Sequence, residues 1–130
     1  MPKKPVISIV DDDQSVREGT TDLLKSMGFI ARAFEHPAKF LQSKRLGGTS
    51  CLIADMRMPG MTGFDLHNHL VNSGQPIPTI LITAFPNERD RHRAMKAGVV
   101  CYLRKPFTES ELLACINSAL SSRQSSGTEA

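Results

Sequence analysis

The hydrophobic pattern alternates between two kinds of segment along most of the chain. Short continuous apolar runs are followed by longer stretches in which apolar residues recur every three or four positions. The runs are Val6–Val10, Phe29–Phe34, Cys51–Ala54, Thr79–Ile82 and Val99–Leu103. Such runs predict buried strands, and the longer stretches predict amphipathic helices. The pattern of five strands and five helices in alternation therefore predicts a parallel sheet that is covered by helices on both faces.

Capping residues mark the helix boundaries that the periodicity leaves open. The start signals are Asp13, Pro37, Thr62 with Asp65, Asn87 with Asp90, and Thr108 with Glu111. The end signals are Gly28, Gly74 and Gly98. We expect the fourth helix to be weakly anchored, because its apolar residues are only Ala94, Met95 and Ala97.

Polar residues that phosphoryl chemistry can use follow four of the apolar runs. They are Asp11 and Asp12 after the first run, Asp55 after the third, Thr83 after the fourth and Lys105 after the fifth. The carboxyl ends of parallel strands lie along one edge of the sheet, where ligands bind in open α/β folds. In the flavodoxin-like strand order 2-1-3-4-5, the crevice opens between the strands that end at Asp11 and Asp55. Three acids, a hydroxyl and an ammonium group there predict a magnesium-dependent phosphorylation site.

Each of these residues, taken alone, has a simpler explanation. An acidic pair after a strand is more often a solvated turn or a helix cap, although Asp13 already serves as the cap here. Asp55 alone would be a turn former, Thr83 an ordinary strand residue and Lys105 a surface lysine. Only their joint occurrence favours a site. We also expect a cis peptide bond between Lys105 and Pro106.

Composition excludes several classes of protein. The chain has 130 residues, of which 40% are hydrophobic and 22% charged, which is typical of one globular domain. It shows neither an apolar stretch of membrane-spanning length nor a secretory leader, so we expect a cytoplasmic protein without membrane contact. The three cysteines are far apart in sequence, lack zinc-ligand spacing and predict free thiols, two of them within apolar runs.

The basic residues do not form a convincing nucleic-acid site. The net charge is only +3, and acidic residues interrupt the densest basic segment, 89–96, which has no aromatic residue. We read this segment as a solvated helix face, so we expect no direct nucleic-acid binding by this chain. The four histidines, His36, His67, His69 and His92, are expected at the surface.

Five segments in this order resemble the receiver domains of two-component response regulators. They are Ile9–Asp13, Asp55–Gly63, Leu81–Ala84, Ala94–Gly98 and Lys105–Phe107. The resemblance extends from Pro5 to about Leu120 and is closest to FixJ-type regulators, whose receivers precede a LuxR-like helix-turn-helix domain. It implies a flavodoxin-like (βα)5 three-layer sandwich, a receiver domain over residues 1–120, and a Ser-rich tail or truncated linker over 121–130.

The resemblance also implies a role for each site residue. Asp55 would accept a phosphoryl group from a sensor histidine kinase. Asp11, Asp12, Asp55 and the backbone carbonyl of Arg57 would bind Mg²⁺, with Mn²⁺ able to substitute. Thr83 and Lys105 would contact the phosphate, and Tyr102 would be the switch aromatic.

The activity implied is that of a switch rather than a turnover enzyme. The domain would catalyse its own phosphorylation and slow dephosphorylation, and then change the surface of the fourth helix, fifth strand and fifth helix. We expect phosphorylation-dependent homodimerisation through that surface. The output would be transcription, through a partner or a missing DNA-binding domain.

Three other functions remain open on the sequence alone. A haloacid-dehalogenase-like phosphohydrolase also uses an aspartyl nucleophile, but needs a second acid where Arg57 stands. A flavin-binding module shares the strand order, but Asp11–Asp13 would repel a phosphate. A degenerate receiver would act only as a scaffold, although the complete residue set argues against it.

Overall fold

A parallel sheet forms the centre of the structure, a computed structural model that describes residues 4–43 and 46–128, with side chains as far as residue 121. Its strands are Val6–Val10 (β1), Ile30–Phe34 (β2), Cys51–Asp55 (β3), Thr79–Thr83 (β4) and Cys101–Arg104 (β5). The helices are Gln14–Ser26 (α1), Pro37–Gln42 (α2), Gly63–Asn72 (α3), Glu88–Lys96 (α4) and Glu109–Thr128 (α5). The strand order β2-β1-β3-β4-β5, with every pair parallel, confirms the predicted flavodoxin-like fold.

Two strands begin later than the sequence predicts. The second strand begins at Ile30 rather than Phe29. The last strand begins at Cys101 rather than Val99, because the Val99 amide donates to the Ala94 carbonyl and closes α4 instead. A single 3-10 turn, Leu46–Gly48, precedes β3. Helix α5 continues to Thr128, so a domain boundary at residue 120 stays a prediction.

The sheet separates two apolar layers, and the strand residues alternate between them. Leu52 and Ala54 of β3 face the layer that contains Leu66 of α3. Cys51 and Ile53 face the opposite layer, which contains Ile116 of α5. The central strands β3 and β4 are buried throughout, as expected for parallel strands covered on both faces. Their carboxyl ends are therefore held firmly at one edge.

The predicted helix starts are confirmed by hydrogen bonds. Asp13 accepts from the amides of Ser15 and Val16, and Thr62 and Asp65 form a reciprocal capping box. Thr108 and Glu111 do the same at the start of α5. Since each cap satisfies amides that the first helical turn leaves without partners, these residues determine where the helices begin.

Helix α4 is weakly anchored, as its sequence predicts. Among its residues Glu88–Lys96, all of which the structure describes, only Ala94 is buried. The Asn87 side chain caps its first turn by accepting from the Asp90 amide at 2.8 Å. Little apolar packing therefore holds this helix to the sheet.

The expected surface location of the histidines is wrong for His67. His36, His69 and His92 are exposed, whereas His67 is only 5% exposed. Its position on α3 follows the core residue Leu66 and faces β4 and the end of α4. Both ring nitrogens have hydrogen-bond partners there, which makes burial of a polar ring tolerable.

The three cysteines are free thiols, as predicted. Cys51 and Cys115 are buried and Cys101 is partly exposed. Burial raises the pKa of the Cys51 and Cys115 thiols to about 12, so both are protonated at neutral pH. None of the described helices has the length and apolar character that crossing a membrane requires.

Candidate functional site

The acidic residues after β1 and β3 meet at the carboxyl edge of the sheet. Asp11, Asp12 and Asp55 each offer a carboxylate oxygen, and these three oxygens lie within 4.8 Å of one another. Asp11 is fully buried and Asp55 is only 7% exposed, whereas Asp12 is exposed to solvent. We name these three side chains the acid pocket. Hard oxygen donors this close together form a suitable site for a magnesium ion.

Lys105 reaches the acid pocket from the loop after β5. Its Nζ donates to Asp11 Oδ2 at 2.9 Å and lies 3.3 Å from Asp55 Oδ2. The Lys105 amide also donates to the Thr83 carbonyl at 2.8 Å, which fixes the backbone beside the pocket. The peptide bond between Lys105 and Pro106 is cis, which confirms the prediction.

Burial and neighbouring charges shift the pKa values of Asp55 and Lys105. Burial, and then the nearby Asp11 carboxylate, raise the pKa of Asp55, although Lys105 and the Arg57 amide partly oppose them. Burial by itself would lower the pKa of Lys105, but the hydrogen bond and charge of Asp11, followed by Asp55, raise it. The surroundings therefore destabilise the charged form of Asp55, whereas the two carboxylates stabilise the charged form of Lys105. A site in this condition favours additional positive charge.

The backbone around Asp55 orients its carboxylate. The Arg57 amide donates to Asp55 Oδ1 at 3.3 Å, so the second oxygen is the one facing Lys105. The Arg57 guanidinium lies over the Phe85 ring, 5.8 Å from its centre. Phe85 itself is 69% exposed. Arg57 therefore meets the acid pocket through its backbone.

Thr83 and Tyr102 occupy different positions relative to the acid pocket. Thr83 is the last residue of β4, next to the strand that carries Asp55, and is buried. Its hydroxyl accepts from the Phe85 amide at 3.1 Å. Tyr102 packs against the apolar layer that contains Leu66, and its hydroxyl accepts from the Asn87 amide at 3.3 Å. Tyr102 thus links β5 to the start of α4 rather than to the acids.

Two residues near the pocket were missed by the sequence interpretation. A Cβ atom on Gly63 would lie 2.5 Å from the Asp55 carbonyl oxygen and 2.9 Å from Leu81 Cδ2, so only glycine lets α3 approach this closely. The Thr62 cap signals that a helix begins here, but not how near it lies. Arg17 donates from Nη1 to the Asp11 carbonyl at 2.8 Å, and no sequence signal indicates this contact.

An apolar groove lies beside Lys105, between α1 and the loop after β5. Its volume is about 470 Å³, and Val16, Leu23, Ala84, Lys105, Pro106 and Phe107 contribute to its lining. The groove runs from the apolar side of α1 to a residue that contacts the acid pocket. A partner seated in it would therefore lie next to the acids.

Comparison with known proteins identifies relatives over most of the chain. Residues 7–117 match the family of response regulator receiver domains. The response regulator protein TodT of Pseudomonas putida is 39% identical over 115 residues, which is 88% of this chain and 51% of that protein. The transcriptional regulatory protein FixJ of Bradyrhizobium diazoefficiens is 33% identical over 120 residues, or 92% of this chain and 58% of that protein. The chain thus spans about half the length of these curated relatives.

A solved structure agrees with these matches. The crystal structure of FixJ-N superposes with a TM-score of 0.82 at 30% identity, and covers 92% of this chain and 96% of that one. The family match extends over the strands and loops that carry Asp11, Asp55, Thr83 and Lys105. This chain belongs to the family of response regulator receiver domains of two-component systems.

Proposed function

We propose that this chain is a phosphorylation-controlled switch in which Asp55 is the phosphoacceptor. The observation that carries the proposal is the contact of Lys105 Nζ with both Asp11 and Asp55, at 2.9 and 3.3 Å, inside a cluster of three carboxylates. A carboxylate is a competent nucleophile for phosphorus and yields an acyl phosphate. Beyond the nucleophile, phosphoryl transfer needs mainly positioning and charge stabilisation, which this arrangement supplies.

The acid pocket fits a magnesium ion. Asp11, Asp12 and Asp55, together with the carbonyl of Arg57, would hold Mg²⁺, with Mn²⁺ able to substitute. Three carboxylates beside one ammonium leave excess negative charge, and the nearby Asp11 carboxylate adds to burial in raising the pKa of Asp55. When bound, the divalent ion neutralises the charge on the transferring phosphoryl group. Since Arg57 contributes only backbone atoms, its side chain should be replaceable.

The transfer itself needs few groups from the protein. An Asp55 carboxylate oxygen forms a bond to phosphorus while the bond from phosphorus to the donor nitrogen of a phosphohistidine breaks. Lys105 Nζ balances the negative charge that the phosphate adds. The buried Thr83 hydroxyl, at the end of the strand next to that of Asp55, is available as a neutral donor.

The donor is a sensor histidine kinase, which is the partner class of this family. The apolar groove between α1 and the loop after β5 supports this assignment, because Lys105 lines the groove and also contacts Asp11 and Asp55 of the acid pocket. A kinase helix with apolar residues on one face would fill the groove and hold its phosphohistidine near Asp55. The groove thus accounts for docking and the pocket for chemistry.

Phosphorylation is then read out through α4. The Thr83 hydroxyl rotates toward the phosphate, and its hydrogen bond with the Phe85 amide breaks. The loop that leads to Asn87 then moves. The contact between Tyr102 and the Asn87 amide then changes as well, and Tyr102 turns inward. Because α4 is weakly anchored, it responds to this change at low cost.

The signal leaves the domain through a surface formed by α4, β5 and α5. We propose phosphorylation-dependent homodimerisation there, and control of transcription by a partner or by a DNA-binding domain outside this chain. The chain is not a turnover enzyme, acts in the cytoplasm, dephosphorylates itself slowly and does not bind nucleic acid directly. Segment 121–130 would be the tail or linker after the receiver.

Incubation with Mg²⁺ and acetyl phosphate, followed by intact-mass measurement, tests the phosphoacceptor. The wild-type protein should gain one phosphoryl group, and Asp55→Asn should gain none. Asp22→Asn is the matched control, because Asp22 is an exposed acid on α1 outside the pocket, and it should behave as wild type. The same gain in Asp55→Asn as in wild type would contradict the proposal.

A further inference from the structure

His67 holds the C-terminal end of α4 from inside the core. Its Nε2 lies 3.0 Å from the carbonyl oxygen of Ala97, the residue that ends α4. Its Nδ1 lies 3.2 Å from Thr79 Oγ1, at the start of β4. His67 and Thr79 are both buried, at 5% and 0% exposure. The ring thus connects α3, β4 and α4 through two polar contacts.

The partners determine which ring nitrogen carries the proton. A carbonyl oxygen only accepts, so His67 Nε2 must be the donor to Ala97. In a neutral ring Nδ1 then carries no proton and can only accept, so the Thr79 hydroxyl donates to it. Thr79 Oγ1 also lies 2.8 Å from the Ile77 carbonyl, which competes for the same proton. The bond from Nε2 to Ala97 is therefore coupled to the orientation of the Thr79 hydroxyl.

The other end of α4 is held more loosely. There the Asn87 amide donates to the Tyr102 hydroxyl at 3.3 Å, at a position exposed to solvent. Water can replace an exposed hydrogen bond without loss, whereas a buried carbonyl without its donor is costly. The buried contact at Ala97 is therefore the stronger of the two. It lies at the C-terminal end of α4, which is farther along the chain from Thr83 and Phe85 than the N-terminal end.

We propose that His67 is a positioning residue that fixes the C-terminal end of α4, so that this helix responds to phosphorylation by pivoting about Ala97. The pivot rests on the proposed function, whereas the anchor does not. The anchor is the hydrogen bond between His67 Nε2 and the Ala97 carbonyl, and the closing turn is formed by the amides of residues 97–99. Loss of the anchor should loosen this turn before phosphorylation and leave the acid pocket unchanged.

Amide hydrogen exchange of the unphosphorylated protein tests the anchor. The reporters are the amides of Ala97, Gly98 and Val99, which donate within the closing turn. In His67→Leu they should exchange about tenfold faster, as expected for one lost buried hydrogen bond. His67→Gln should largely restore protection, because its side-chain amide can donate to the same carbonyl. His69→Leu, the same change at an exposed position of α3, should match wild type.

The amides of β1 provide the check on global unfolding in that experiment. They should remain slower than the amides of Ala97–Val99 in His67→Leu, which would show that the last turn of α4 opens locally. Unchanged exchange at Ala97–Val99, or exchange there no faster than in β1, would overturn the anchor. Nitrogen-15 NMR of the ring gives a second measurement that needs no variant: the neutral ring should be protonated at Nε2, and a ring protonated only at Nδ1 would also overturn the anchor.

Exchange with and without acetyl phosphate tests the pivot. In the wild type, the change on phosphorylation should be larger at the Arg91 amide than at Val99, and in His67→Leu it should extend to both. Equal changes at both ends of wild-type α4, with Asp55 phosphorylated by intact mass, would refute the pivot. Absence of phosphorylation would refute the proposed function and the pivot with it, while the anchor would be decided by the unphosphorylated samples.

Discussion

The acid pocket and α4 are held to the same sheet in opposite ways. The two buried carboxylates of the pocket are each oriented by a backbone amide, Asp11 by that of Asp13 and Asp55 by that of Arg57. Helix α4 buries only Ala94, and its other contacts with the fold are polar or lie at its surface. The proposed function needs both properties, because phosphoryl transfer requires fixed geometry, whereas a signal requires an element whose alternative position lies close in free energy.

The largest effect is expected at Gly63, where α3 packs closely against the backbone of Asp55. Gly63→Ala places a Cβ atom against the Asp55 carbonyl, and we expect a loss of about 3 kcal/mol in the free energy of unfolding. Gly19→Ala is the matched control, since a Cβ there meets nothing within 4 Å and should stabilise α1 by up to about 1 kcal/mol. Denaturant titration measures both. Similar stability of the two variants would show that α3 shifts freely.

Removing the cation should destabilise the pocket next most strongly. Lys105→Met leaves the buried Asp11 carboxylate without its ammonium partner, and we expect a loss of roughly 2 kcal/mol near neutral pH. Because the folded-state pKa of Lys105 is raised above 10.5, its contribution is complete below that value and disappears as the pH rises through the folded-state pKa. The difference in unfolding free energy between Lys105→Met and wild type should therefore be large at neutral pH and disappear at strongly alkaline pH. A difference that persists at alkaline pH would mean that lost packing, rather than lost charge, causes the effect.

Removing the Asp55 carboxylate should instead increase the free energy of unfolding. The pKa of Asp55 is raised above 3.8, so the folded state binds the proton more tightly, and stability falls as the pH rises from 3.8 through the folded-state value. Asp55→Asn has no charge to confine and should be about 1 kcal/mol more stable than wild type at neutral pH without metal. Thermal unfolding checks this, and Mg²⁺ should narrow the difference. A less stable Asp55→Asn would mean that the Lys105 contact outweighs the repulsion.

The smallest effect is expected at the loosely held end of α4. Tyr102→Phe removes an exposed hydrogen bond to the Asn87 amide, and we expect less than about 0.5 kcal/mol change in stability. Exchange of the Asn87 amide should nevertheless increase, while Val99 stays protected. A change in stability as large as that of Lys105→Met would remove the distinction between the two regions.

Much of the fold was readable because its signals are local. The apolar runs predicted all the strands, and the caps Asp13, Thr62 and Thr108 begin the helices that the structure contains. These features depend on hydrogen bonds and side-chain periodicity within a few residues. The convergence of Asp11, Asp55 and Lys105 followed from one further rule, that the ends of parallel strands share an edge.

Contacts between elements that are distant in sequence depend on the folded structure. A histidine on a helix carries no mark of whether it meets solvent or another helix, so the sequence alone predicts His67 at the surface. Gly63 and Arg17 have no local signal either, since their importance comes from the backbone of Asp55 and of Asp11 across the fold. Local chemistry therefore determined the elements and the composition of the site. Packing determined which charges are buried, which pKa values shift and which end of α4 is held, because burial and distance exist only once the chain has folded.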